Sequence, residues 1–196
     1  NINIDIMFSL PDQSFEMWLE TLENVTALKP EHISAYSLII EEGTPFYDMD
    51  LNLPDEETDR KMYHSAIKYL SDKGYRQYEI SNFAKDGYES VHNSVYWQRG
   101  NYKGFGLGAA SLINNIRYKN TESISEYIEG TTVTEKEILN KNDQMAEFMF
   151  LGLRMTQGVS ISQFKNEFNE DMLKKYNKVI EKYNDFFIID NDRLRL

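Results

Sequence analysis

The sequence predicts an α/β fold followed by a small helical, winged-helix-like region. Three observations carry this. Residues 1–10 alternate apolar and polar positions, and an amphipathic helix and a second apolar strand come next. A further helix and strand follow in the same order. Beyond residue 120 the pattern changes to short helices with cap signals, and a hairpin signal closes the sequence.

Taken in order, residues 1–10 set Ile2, Ile4, Ile6 and Phe8 against Asn3, Asp5, Met7 and Ser9, which is a strand with one apolar face. Opening directly on a strand, the chain is expected to begin mid-fold. Pro11 to Ser14 turn into a helix over 14–28 with a stripe of Phe15, Trp18, Leu22, Val25 and Leu28. Pro30 ends it, and 32–40 reads as a buried strand. Strand, helix and strand over this length make a βαβ unit, so the two strands should be parallel. After a loop over 41–54, a helix over 55–73 carries Met62, Ala66, Ile67 and Leu70, with Gly74 placed as a C-cap. Residues 75–80 are the next strand.

Ser123 with Glu126, and Thr134 with Glu137, have the spacing of capping boxes and predict two helix starts. A helix over 141–156 presents Met145, Phe148, Met149, Gly152 and Met155, and Gly158 stops it. Ser160 opens a short helix to Phe168. A longer one runs over 171–183 with Leu173, Tyr176, Ile180 and Tyr183 inward, and 186–196 form a hairpin around Asp190-Asn191-Asp192. Helices followed by a hairpin resemble a winged helix. Lys174, Lys175, Lys178 and Lys182 are interleaved with Glu181, and the net charge is −11, so a solvated face rather than a nucleic-acid surface is expected. The methionines read as core fillers. No run approaches a membrane span and no signal-peptide pattern is present, so a cytoplasmic setting is expected. There is no cysteine, which excludes disulfides and thiolate-held metals within these residues.

Residues 74–120 concentrate the chemistry. Aromatic residues crowd this stretch around His92-Asn93-Ser94-Val95-Tyr96-Trp97, and Gly104-Phe105-Gly106-Leu107-Gly108-Ala109-Ala110 follows. Aromatic walls, one imidazole and a closely approachable backbone suit a flat apolar cofactor. The same composition also suits a half-buried sheet, with the glycines marking a strand kink. The dinucleotide fingerprint is not met. His92 could be an axial ligand of haem iron, with Tyr96 and Trp97 packed on the porphyrin and Asn93 orienting the imidazole. His32 and His64 read as surface or rim residues. Asp5, a carboxylate within an apolar strand, must face a polar cavity or be paired.

Tyr78-Glu79-Ile80-Ser81-Asn82-Phe83-Ala84, then His92-Asn93-x-x-Tyr96-Trp97, then Gly104-Phe105-Gly106-x-Gly108-Ala109 resemble the HemW-type radical-SAM haem chaperones, close kin of oxygen-independent coproporphyrinogen III oxidase. The resemblance covers nearly the whole chain. It implies the C-terminal portion of a partial, TIM-like radical-SAM barrel over 1–130, with an antiparallel extension bearing the histidine motif, and a HemN-type C-terminal helical domain over 131–196. It implies haem binding at His92, Asn93, Tyr96 and Trp97. Asp5, in an Asp5-Ile6-Met7-Phe8-Ser9-Leu10-Pro11 element with Ser9 where the family has glycine, would contact S-adenosylmethionine. It also implies delivery of haem to haem-requiring membrane or respiratory proteins. The family's four-iron four-sulfur cluster hangs on cysteines that these residues lack, so a truncated piece, inactive in radical chemistry, is expected. Two other readings stand beside the chaperone. One is the oxidase itself, converting propionates to vinyls by oxidative decarboxylation; the other is an acidic interaction module without a cofactor.

Overall fold

The computed structural model describes all residues, Asn1–Leu196. They form two compact units, Asn1–Glu89 and Ser90–Leu196, each with its own apolar core.

The first unit runs β1 (Asn3–Phe8), α1 (Phe15–Ala27), β2 (His32–Ser37), a 3₁₀ turn (Pro45–Asp48), α2 (Glu56–Asp72), β3 (Arg76–Gln77) and β4 (Asn82–Ala84). Its sheet has the order β1-β2-β4-β3, with β1 and β2 parallel as the βαβ pattern predicts. Ser14 caps α1 and Asp55 caps α2, each side chain accepting from a backbone N–H three residues on. One sheet face supplies Ile6, Phe8, Ile33, Ala35 and Phe83; α1 supplies Trp18, Leu22 and Val25, and α2 Met62, Ala66 and Leu70. Trp18 is fully buried between them, its ring 5.2 Å from that of Phe8 and its Nε1–H donating to the Met62 carbonyl at 2.9 Å. Burying one such side chain contributes about 1.5–3 kcal/mol, so this inter-helix layer sets the unit's stability.

The strand expected over 75–80 is shorter. After β3 the chain turns, because the buried Glu79 carboxylate accepts from the Ser81 N–H at 2.9 Å and from Asn82 Nδ2 at 2.5 Å. This local side-chain bonding competes with the ladder. The chain returns as β4, antiparallel to β2. The strand expected over 32–40 likewise ends at Ser37.

The second unit contains α3 (Val91–Trp97), β5 (Ala110–Ile113), β6 (Ile116–Asn120), α4 (Ile124–Ile128), β7 (Val133–Ile138), α5 (Lys141–Gly152), β8 (Val159–Ser160), α6 (Ile161–Phe168), α7 (Met172–Lys175), α8 (Asn177–Lys182), β9 (Ile188–Asp190) and β10 (Arg193–Arg195). Strands β5-β6-β7 form an antiparallel sheet, and β8-β10-β9 form a second. Asn114 and Asn115, both with positive φ, make the two-residue turn between β5 and β6. Met145, Phe148 and Met149 of α5 pack with Val159, Phe164, Phe168, Met172 and Leu194 in one core. Gly158 has φ +65, and a Cβ there would stand 2.1 Å from the Leu194 carbonyl, so only glycine lets this turn approach β10.

Three expectations are corrected here. Thr134 and Glu137 do not start a helix: residues 133–138 are strand β7, in which Glu137 stands opposite Arg117. The β-branched Val133, Thr134 and Ile138 fit a pleated ladder, and no apolar helical stripe competes. The helix begun at 141 ends at Gly152 rather than 156. The single helix expected over 171–183 is broken at Tyr176. Tyr176 lies at φ −107 and ψ 15, outside helical backbone, so Met172 enters the core completely and Leu173, Tyr176 and Ile180 only in part, while Tyr183 is exposed.

Candidate functional site

The histidine motif is a helix, not a sheet segment or a loop. Ser90 caps α3, accepting from the Asn93 N–H at 3.2 Å. Helical spacing then pairs position 92 with 96 and position 93 with 97. His92 is exposed, and its Nε2 lies 2.9 Å from the Tyr96 hydroxyl, with the two rings edge to face at 4.8 Å. Tyr96 in turn packs edge to face on Tyr102 at 4.6 Å. Tyr102 exchanges two backbone hydrogen bonds with Leu112 of β5, which ties this aromatic series to the sheet. The imidazole is therefore oriented by Tyr96, where sequence reasoning gave that role to Asn93. If Nε2–H donates to the tyrosine oxygen, Nδ1 keeps its lone pair, the arrangement of an oriented metal-ligating imidazole.

Asn93 and Trp97 stand one residue further round the helix. The Trp97 ring carries the Arg154 guanidinium over its face at 4.3 Å, and its indole N–H is buried without a hydrogen-bond partner. Trp97 also lines a cleft of about 220 Å³ with residues of α5, β8, α6 and β10.

Behind α3 lies an ion network that no motif announced. Arg99, at positive φ just after the helix, donates from Nε to Glu147 at 3.0 Å and from its terminal nitrogen to Asn115 at 2.7 Å. Arg117 donates to the other Glu147 oxygen at 2.6 Å. The Arg99 and Glu147 side chains are only 5% and 7% exposed, so neither charge could stand there alone. Burial pulls the Arg117 pKa down. The hydrogen bond and charge of Glu147, helped by Tyr102 and Glu137, outweigh it and leave the guanidinium held above its ordinary value. Glu147 lies forty-eight positions from Arg99, so no local signal could have joined them.

The glycine run is a loop rather than a strand kink. A Cβ on Gly104 would stand 2.2 Å from the Ala110 carbonyl. Gly104 N–H donates to the buried Ser111 hydroxyl, Gly106 N–H to the Tyr127 hydroxyl, and Asn120 Nδ2 to the Gly106 carbonyl. The loop is thus pinned on both sides, with Phe105 81% exposed at its tip.

In the first unit, paired residues place Asn3, Asp5, His32, Ser34 and Asn82 on the sheet face turned away from the apolar core. Asp5 is exposed and accepts from Asn3 Nδ2 at 2.7 Å. His32 is a correction: it is buried, not a rim residue, with Nδ1 2.6 Å from Asn3 Oδ1 and Nε2 2.9 Å from the Tyr78 hydroxyl. Burial lowers its pKa below the ordinary histidine value, against the opposing charges of Asp5 and Glu89. His64 is exposed on α2, as expected. Ser9 has φ +57, the left-handed region that favours glycine, and its hydroxyl donates to Asp59, which also accepts from Ser37 at 2.7 Å. The donor set does not suit an iron–sulfur cluster, because the sequence contains no cysteine.

Residues 139–196 match the family described as the HemN C-terminal domain. A "Heme chaperone HemW" of Lactococcus lactis is 37% identical over 203 aligned residues, covering 100% of this chain and 54% of that protein. One of Bacillus subtilis is 38% identical, covering 88% of this chain and 48% of its own length. The chain thus spans about half the length of the curated relatives it matches. Among solved structures, the radical SAM enzyme coproporphyrinogen III oxidase (HemN) of Escherichia coli superposes with a TM-score of 0.79. It covers 99% of this chain and 50% of that one at 17% identity, a likeness of fold.

Proposed function

We propose that this chain, a relative of the HemW-type proteins of the radical-SAM family that carries a HemN C-terminal domain, forms the haem-holding part of a haem chaperone. In this reading haem is cargo. His92 supplies the axial imidazole and Tyr96 sets its orientation, while Trp97 and Asn93 frame the adjoining face of α3. The observation that carries the reading is the exposed His92 ring, held by the Tyr96 hydroxyl at 2.9 Å on a helix tied to the neighbouring sheet. Exposure leaves room for a macrocycle, and the hydrogen bond fixes the ring before the ligand arrives, which lowers the ordering cost of binding.

S-adenosylmethionine and the cluster belong to the proposal only for a protein that supplies cluster cysteines. Asp5, exposed and steered by Asn3, is the residue of this chain we assign to S-adenosylmethionine, as a hydrogen-bond acceptor. Delivery to haem-requiring membrane or respiratory proteins from the cytoplasm completes the reading; no helix here is long and apolar enough to cross a membrane. We likewise place the division between barrel-derived and C-terminal parts near residue 130. Similarity to proteins named as haem chaperones favours this over the oxidase, which the fold likeness alone suggests. A haem titration followed in the Soret region tests it. Saturable binding that is weakened in His92→Ala by at least the roughly tenfold typical of losing an outer-shell partner of a metal ligand supports the reading; equal binding by both proteins removes His92 from the site.

A further inference from the structure

We infer that the cleft beside Trp97 is a carboxylate-binding site, separate from the exposed face that carries His92. The inference shares Trp97 with the haem reading but does not need it, because Arg193 and the cleft amides carry it. Two features meet there, in a wall that also holds the Trp97 ring. Arg193 lines the same cleft and forms no ion pair; its one hydrogen bond goes to the Gly158 carbonyl at 3.3 Å. The neighbouring Asp192 does not neutralise it by contact, because that carboxylate is taken up by the Ser160 and Ser162 hydroxyls and the Ser162 N–H. Gln98, Gln157 and Gln163 add amide donors to the wall, while Phe148, Met155 and Val159 supply an apolar one.

A guanidinium outside any ion pair and amides around an apolar wall select an acceptor that is negatively charged and carried on a short apolar stem. A carboxylate meets both requirements, and its hydrogen bonds to a cation are charge-assisted. Size sets the rest. The cleft of about 220 Å³ admits a carboxylate arm or chain end. Two sources carry that chemistry: the propionate arm of a porphyrin and the C-terminal carboxylate of a polypeptide. In a chain of net charge −11, attraction of an anion must be local, and this cleft supplies it.

The chain has two tryptophans, so its indole N–H region holds two resonances, assigned with a Trp97→Phe variant. We would titrate the labelled chain with hexanoate and hexanamide. A saturable shift of the Trp97 resonance by the acid and not the amide, with Trp18 unmoved, is expected. Arg193→Gln should weaken it by about tenfold, the loss of one charge-assisted hydrogen bond. Should Arg193→Gln fail to fold, the acid–amide comparison in the unaltered chain still decides. Two further pairs separate the sources: metal-free protoporphyrin against its dimethyl ester, and a tetrapeptide acid against its amide. No shift with any acid, or equal shifts with acid and amide, would overturn the assignment.

Discussion

His32 and His92 are the same side chain in opposite settings. His32 is buried on the polar sheet face of the first unit, with both ring nitrogens engaged by Asn3 and Tyr78. His92 is exposed on α3 of the second unit, with one nitrogen held by Tyr96. A ring with both nitrogens occupied is part of the framework, and its proton inventory affects folding. A ring held at one nitrogen and open at the other fits the ligand role we propose for it. The number of partners and the burial, rather than the residue type, assign the roles.

The largest effect should come from removing the support under α3. Glu147→Ala would leave the buried Arg99 guanidinium only the more distant Glu167 carboxylate, at 3.6 Å, at a cost of about 3 kcal/mol, the lower end for breaking a buried ion pair. Urea unfolding should report this; a loss below ~1 kcal/mol would mean that Arg99 finds water and the network is not structural. Next, His32→Ala should cost about 1–3 kcal/mol by removing a buried ring and its hydrogen bonds to Asn3 and Tyr78, whereas His92→Ala should change stability by less than ~0.5 kcal/mol, as exposed substitutions do. Equal losses would erase the contrast between the two rings.

Acid sharpens the same contrast. The folded-state pKa of His32 is lowered by burial, so the unfolded chain binds the proton more readily. The stability this neutral ring contributes is complete above about pH 6.5, the unfolded value. It is lost as pH falls from there toward the folded pKa. His32→Gln should flatten that part of the stability–pH curve; an unchanged curve would mean that the buried ring is not its source. The smallest effect lies at Ser9. Ser9→Ala keeps the left-handed strain and loses the bond to Asp59, while Ser9→Gly loses the bond and relieves the strain. The glycine variant should therefore be the more stable by about 1 kcal/mol; a more stable alanine variant would refute the strain.

Much of the first unit was legible because its apolar periodicity and caps are local: Ser14, Asp55 and the Trp18 stripe stand where pattern places them. The second unit was less so. Thr134 and Glu137 have a helix-start spacing, but cross-strand pairing with Arg117 decides their state, and pairing partners distant in sequence leave no local trace. The same holds for the candidate site. His92 and Tyr96, four apart, could be linked by spacing once the segment was known to be a helix. Arg99 and Glu147 could not be, and the burial of His32 depends on Tyr78 arriving from a turn that Glu79 makes.

The most direct measurement sets the two histidines against each other: Soret and magnetic circular dichroism spectra of the haem-loaded chain, of His92→Ala and of His32→Ala. The expected result is that the imidazole-ligation signature persists in His32→Ala and disappears in His92→Ala. A signature that survives in His92→Ala and vanishes in His32→Ala would contradict the assignment of roles by burial and partners.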